Sequence, residues 1–115
     1  MITKRKTLKF EKDLVPLVLS GYKNCTWRLW DDKNLQTGDL IDLIKRPELN
    51  VFAEAKIISV IEKPFGKLGK RDKLGHESFE SNKKMYENYS HYYNRPVDSN
   101  TIVKIIKFKV LKSSM

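Results

Sequence analysis

Residues 21–28 read GYKNCTWR, and the reading of this stretch decides the rest of the chain. Gly21 follows the apolar run LVPLVL, where a helix that has reached its end places glycine in a left-handed turn. From Cys25 the side chains alternate. Cys25, Trp27 and Leu29 fall on one face of a strand over residues 25–30, and Thr26, Arg28 and Trp30 fall on the other. With the first set in a core, Thr26 and Arg28 face a cleft or solvent, and Lys23 folds back from the loop to the same side. A compact cation, a hydroxyl and a guanidinium fork then converge, a set suited to a phosphate or to the edge of a nucleobase. A partly desolvated lysine there can also serve as base for the threonine hydroxyl. The plainer alternative is a solvated lysine, a threonine chosen for strand propensity, and an arginine paired with Asp31 or Asp32.

Upstream, residues 6–10 form a first strand with Leu8 and Phe10 on one face. A helix is predicted over 13–20, with Asp13 as N-cap, Pro16 in the first turn, and Leu14, Leu17 and Val18 as its inward stripe. Downstream, 31–34 is a turn, and residues 38–44 form a strand in which Leu40 faces away from Ile41 and Leu43. A second turn covers 46–50, a long strand 51–61, and a glycine- and lysine-containing loop 62–77. Ser78 caps a second helix that ends by Asn94 and carries Phe79, Asn82, Tyr86, Tyr89 and Tyr93 on one face. A last strand spans 101–111. These elements predict one α+β domain over residues 1–115, a small mixed β-barrel of about five strands with two helices.

The chain has 115 residues with 23 Lys and Arg against 14 Asp and Glu, a formal charge of +9. That excess favours polyanions, RNA as readily as DNA, although it equally serves solubility. The single cysteine excludes a disulfide framework and a thiolate zinc site, and two separated histidines suggest no metal centre. No cofactor is expected. The amino-terminal residues lack the apolar stretch of a signal peptide, and no run is long enough to span a membrane, so no membrane partner is expected. A reducing, cytoplasmic location is the default expectation.

GYKNCTWR followed by LWDDKNLQTGDLIDL resembles the ASCH domain, a relative of the PUA-like RNA-binding barrels. The family's G-x-K-x-x-T-x-R motif is matched by Gly21, Lys23, Thr26 and Arg28, and its following G-D pair by Gly38 and Asp39. The stretch GHESFESNKKMYENYSHYY and the ending TIVKIIKFKVL are also similar to the closing half of small archaeal and bacterial members. The resemblance implies a PUA-like barrel that holds RNA or a modified nucleotide in the cleft beside the motif. One bacterial subgroup hydrolyses N4-acetylcytidine, with the motif lysine as base, the threonine as nucleophile and a glutamate before the second helix assisting. Another small member is a ribonuclease. Carried onto this chain, the resemblance gives Lys23 and Thr26 the first two roles. The glutamate position aligns with Leu74, and Glu77, three residues on, is the stand-in that reaches the cleft only if the loop shifts.

Other residues keep two readings each. Trp30 either stacks on a base or packs against the second helix, and the tyrosines Tyr86, Tyr89, Tyr92 and Tyr93 are either a stacking set or a buried helix face. Lys63, Lys67, Lys70, Arg71 and Lys73 either rim the cleft or form a solvated loop, with Lys70 and Arg71 the chosen ligand contacts. His76 beside Glu77 is either a general acid–base pair or a local hydrogen bond, and it is included among the ligand contacts. Cys25 is read as a small buried residue.

Overall fold

The computed structural model describes residues 5–31 and 33–113. Of the turn predicted at 31–34, Asp32 lies outside the described residues. The strands are β1 (Thr7–Glu11), β2 (Cys25–Arg28), β3 (Leu40–Arg46), β4 (Asn50–Pro64) and β5 (Ile102–Ser113), with helices α1 (Val15–Leu19), α2 (Lys70–Lys73) and α3 (Asn82–Tyr93). The sheet order is β1-β3-β4-β5-β2. Only β1 and β3 run parallel, and the remaining neighbours are antiparallel. The five strands curl into a half-barrel, the small α+β, barrel-like architecture that the sequence predicts.

Alternation places the core. Leu8 and Phe10 of β1 and Ile41 and Leu43 of β3 join Phe52, Ile57 and Phe108 in one apolar cluster, while Leu40 points outward at 46% exposure. A second cluster gathers Cys25, Trp27, Leu29, Phe65, Met85, Val103 and Ile105, with Tyr86, Tyr89 and Tyr93 packed against it. So α3 covers the second cluster with an aromatic face, while Asn82 is exposed at its start.

Four local expectations are corrected. The first helix does not begin with an Asp13 cap: a 3₁₀ turn, Lys12–Leu14, leads into a short α1 with proline in its first turn. With only five residues, α1 buries the i, i+3 pair Val15 and Val18, and Leu17 is left 38% exposed. The strand at 25–30 stops at Arg28, because the Leu29 N–H is donated to the Tyr93 hydroxyl (3.1 Å) and Trp30 takes a left-handed φ of 50°. The segment 62–77 is not an irregular loop. β4 continues to Pro64, a 3₁₀ turn spans Phe65–Lys67, and α2 is pinned by Asp72. The Asp72 carboxylate accepts from Gly69 N (2.7 Å) and Lys63 Nζ (2.8 Å), and its carbonyl accepts from Trp27 Nε1 (3.1 Å). The second helix is capped by Ser81, whose side chain accepts from Lys84 N, and Ser78 stays in the extended lead-in. It ends at a left-handed Asn94, as read from the sequence. Among the described residues, no helix is long and apolar enough to cross a membrane.

Candidate functional site

The GYKNCTWR segment reaches its position through hydrogen bonds at both ends. The N–H groups of Gly21 and Lys23 bond to the carbonyls of Val18 (3.1 Å) and Leu17 (2.9 Å), closing α1. Gly21, at φ 83°, supplies the left-handed turn. The N–H groups of Asn24 and Cys25 both donate to the Gly75 carbonyl (3.1 and 3.2 Å). This clasp brings the loop before α3 against the start of β2. Gly75 is required there twice over: its φ is 78°, and an added Cβ would lie 1.9 Å from Asn24 Oδ1.

The consequence is a cavity of about 270 Å³ in which Lys23, Thr26, Arg28, His76 and Glu77 meet. Phe10, Trp27, Phe79 and Tyr89 supply aromatic walls. Lys23 is only 3% exposed and Thr26 5%. Lys23 Nζ donates to Glu77 Oε2 (2.7 Å) and to the Cys25 carbonyl (2.8 Å). Glu77 therefore enters the cleft with the loop as it stands, while Leu74 is 63% exposed and outside it. The expectation that Glu77 needs a loop shift is corrected, and the Gly75 clasp is the physical reason.

A polar chain extends from this ion pair. Glu77 Oε2 lies 3.1 Å from His76 Nδ1, and His76 Nε2 lies 3.3 Å from the Tyr89 hydroxyl. The imidazole stacks on Trp27 at a centroid distance of 3.7 Å. Burial, reinforced by the Lys23 charge, lowers the His76 pKa to about 4, so the ring is neutral at pH 7. Burial also lowers the Lys23 pKa, with Glu77 opposing it. Desolvation pushes the Glu77 carboxyl up, but His76 and the Lys23 ammonium outweigh it and leave the pKa below the usual carboxylate value. Burial raises Tyr89 and Cys25, which keeps both protonated.

The cleft does not gather every residue expected of it. Gly21 is an exposed helix stop rather than a lining residue. Trp30 packs edge-on against Tyr93 and lies beneath the Arg95 guanidinium (3.8 Å to the ring centroid). This is the packing against the second helix that the sequence offered; Trp30 does not line the cleft, although it lines a neighbouring cavity with Arg28. Lys70 and Arg71 lie on α2 and do not line the cleft; α2 is held by the bond from Trp27 Nε1 to the Asp72 carbonyl. Phe10 and Trp27, read from the sequence only as inward strand residues, are also walls of the cleft. Phe10 carried a signal in its alternation with Leu8, whereas the stacking of His76 on Trp27 comes from the clasp and has no local signature. Among the described residues, no group of three His, Cys, Asp or Glu is placed to hold a metal.

The half-barrel, its strand order and the cleft beside β2 define a small barrel-like α+β class. The chain has the ASCH-domain fold. Solved structures that it is similar to include an ASCH domain from Lactobacillus crispatus (TM-score 0.64, 16% identity, covering 83% of this chain and 68% of that one). An ASCH protein from Zymomonas mobilis matches with a TM-score of 0.67 and 13% identity over 93% of this chain and 68% of that one. A DUF984 protein from Enterococcus faecalis matches with a TM-score of 0.82 and 12% identity over 100% of this chain and 85% of that one. No family model matches the sequence, and no curated protein matches it.

Proposed function

We propose that the cleft takes a single nucleoside unit and hydrolyses an acyl amide on its base, with N4-acetylcytidine as the test compound. The observation that carries this reading is the 2.7 Å contact between Lys23 Nζ and Glu77 Oε2 in the cavity that Thr26 also lines. A cavity near 270 Å³ with aromatic walls suits one planar ring more than a strand of nucleic acid. The resemblance of Lys23 and Thr26 to the hydrolysing subgroup of the ASCH family agrees with it.

In this mechanism the Thr26 hydroxyl oxygen attacks the amide carbon, and its proton passes to Lys23 Nζ in the minor neutral fraction of that lysine, a fraction that burial enlarges and the Glu77 pair opposes. The tetrahedral oxyanion collapses with cleavage of the C–N bond, and Lys23 returns the proton to the leaving amine. Water then attacks the ester left on Thr26 and gives a proton to Glu77, which passes it to the Thr26 oxygen as the acyl C–O bond breaks and the carboxylic acid leaves. Arg28 contributes positive charge for the oxyanion. Incubation with N4-acetylcytidine should release cytidine, and no turnover above a Lys23→Ala control refutes the reading.

A second reading, binding of RNA without chemistry, is favoured by the formal charge of +9. It requires RNA retention that falls steeply with salt and is lost in a Lys23→Ala/Arg28→Ala double variant. Single-stranded RNA in the same format also reads out ribonuclease activity.

A further inference from the structure

Beside the cleft lies a second cavity of about 280 Å³, which shares the walls Lys9, Arg28, Tyr92 and Tyr93 with it. Its lining holds four cations, Lys9, Arg28, Lys33 and Arg46, and one described carboxylate, Asp31. Asp31 is already engaged by Lys104 Nζ at 3.2 Å. Among the described residues, none of the four cations is in an ion pair. Two of them carry buried donors without a partner: the Nε–H groups of Arg28 and Arg46. Buried polar atoms are almost always bonded, so two unpartnered guanidinium donors on residues that line one cavity require an explanation. Arg28 is held by a bond from its Nη2 to the Lys9 carbonyl (2.8 Å), and Lys33 by one from its Nζ to the Thr7 carbonyl (2.7 Å). Both cations are thus positioned by neutral backbone acceptors rather than by ion pairs among the described residues. Lys33 responds to this crowding: burial lowers its pKa first, and Arg28, Lys9 and Arg46 lower it further against the opposing pull of Asp31.

We propose that this cavity binds the phosphoryl group of a nucleotide whose base occupies the adjoining cleft. The inference rests on the reading of that cleft as a base site, and it changes the ligand from a nucleoside to a nucleotide. A phosphate dianion offsets about half of the charge of the four cations, and its oxygens accept hydrogen bonds from the guanidinium and ammonium groups of the residues that line the cavity. Arg28, on the shared wall, then touches both halves of the ligand.

Calorimetric titration tests it with the four nucleosides, their 5′- and 3′-monophosphates, inorganic phosphate and a 5′-phosphorylated trinucleotide. The proteins are the native chain, Arg46→Gln and Lys33→Gln, with circular dichroism to check that each variant is folded. A monophosphate should bind at least about tenfold more tightly than its nucleoside, and both variants should reduce that advantage to under about threefold. Equal affinity for nucleoside and nucleotide in the native chain overturns the proposal, as does an advantage that survives in both variants. If no nucleoside binds, the base reading fails by itself and inorganic phosphate decides. Binding of phosphate that Arg46→Gln weakens supports the anion site, and no binding overturns it. Preference for the mononucleotide identifies a free nucleotide as the source of the phosphoryl group, and preference for the trinucleotide identifies an RNA end.

Discussion

Replacing Glu77 by Gln removes the only carboxylate, among the described residues, that is bonded to Lys23, which is 3% exposed. Breaking a fully buried ion pair by deleting one partner costs about 3–5 kcal/mol, because the remaining charge stays desolvated. The Glu77 side chain is 35% exposed, so water screens part of the interaction and the expected loss falls to about 1–3 kcal/mol. With a urea slope near 2 kcal/mol per molar, a loss of about 2 kcal/mol lowers the unfolding midpoint by about 1 M at pH 7. A Lys23→Met substitution in the same background removes the stranded charge, so the double variant should recover much of the loss.

The pH dependence gives the same reasoning a sign. Glu77 has a lowered folded pKa, so its contribution is complete above the ordinary carboxylate pKa of 4.5 and is lost as pH falls below it. Glu77→Gln flattens that acid limb. Lys23 is already lowered by desolvation and is held up by Glu77, so the substitution lowers it further. Between its folded pKa and 10.5 the unfolded chain binds more protons, and stability rises with pH across that window. The gap between native protein and variant should therefore narrow from pH 7 to pH 10. A loss below about 0.5 kcal/mol at pH 7, or strictly additive effects in the double variant, refutes the claim that Glu77 holds the Lys23 charge.

Thr26→Val keeps the side-chain shape while removing the nucleophile. It should abolish release of cytidine from N4-acetylcytidine, as followed by chromatography, without moving the urea midpoint by more than about 0.5 M. Gly75→Ala forces a side chain into a left-handed position with Asn24 Oδ1 at 1.9 Å, and should cost about 2 kcal/mol or more by chemical denaturation and displace Glu77 from Lys23. His76, at about 4, binds no proton in the folded state from pH 5 upward, so its ring resonances should not shift between pH 5.5 and 8. Its lowered pKa also makes stability fall as pH drops from 6.5 toward 4, a slope that His76→Gln should remove.

Strand alternation carried most of the fold, because a half-barrel with a buried face writes itself as period two. Leu8 with Phe10, Ile41 with Leu43, and Cys25 with Trp27 were legible for that reason. The segment 62–77 was not, because its order comes from three hydrogen bonds to Asp72 and from the Gly75 clasp, contacts between residues 3 to 51 positions apart. Trp30 misled for a related reason. Alternation predicts a facing only while the strand lasts, and here Tyr93 ends it by taking the Leu29 N–H. Lys23, Thr26 and Arg28 could be grouped from spacing, but a carboxylate arriving from residue 77 could not.

The places where local rules fail all lie on one side of the half-barrel. A lysine is buried at 3% exposure, two arginine Nε–H groups are buried without partners, and four cations crowd one cavity. Each lowers the stability of the empty protein, and none is needed to close the two apolar clusters, which exclude all of these residues. A fold selected for stability alone replaces Arg46 with an exposed neutral residue and Lys23 with an apolar one. That this chain keeps them together, with Arg28 on the wall between the two cavities, argues for one continuous ligand rather than two separate sites. On the proposal above, that ligand presents a planar base to Trp27, His76 and Tyr89 and an anion to Arg46 and Lys33, so one binding event offsets the cation cluster and fills the aromatic cleft.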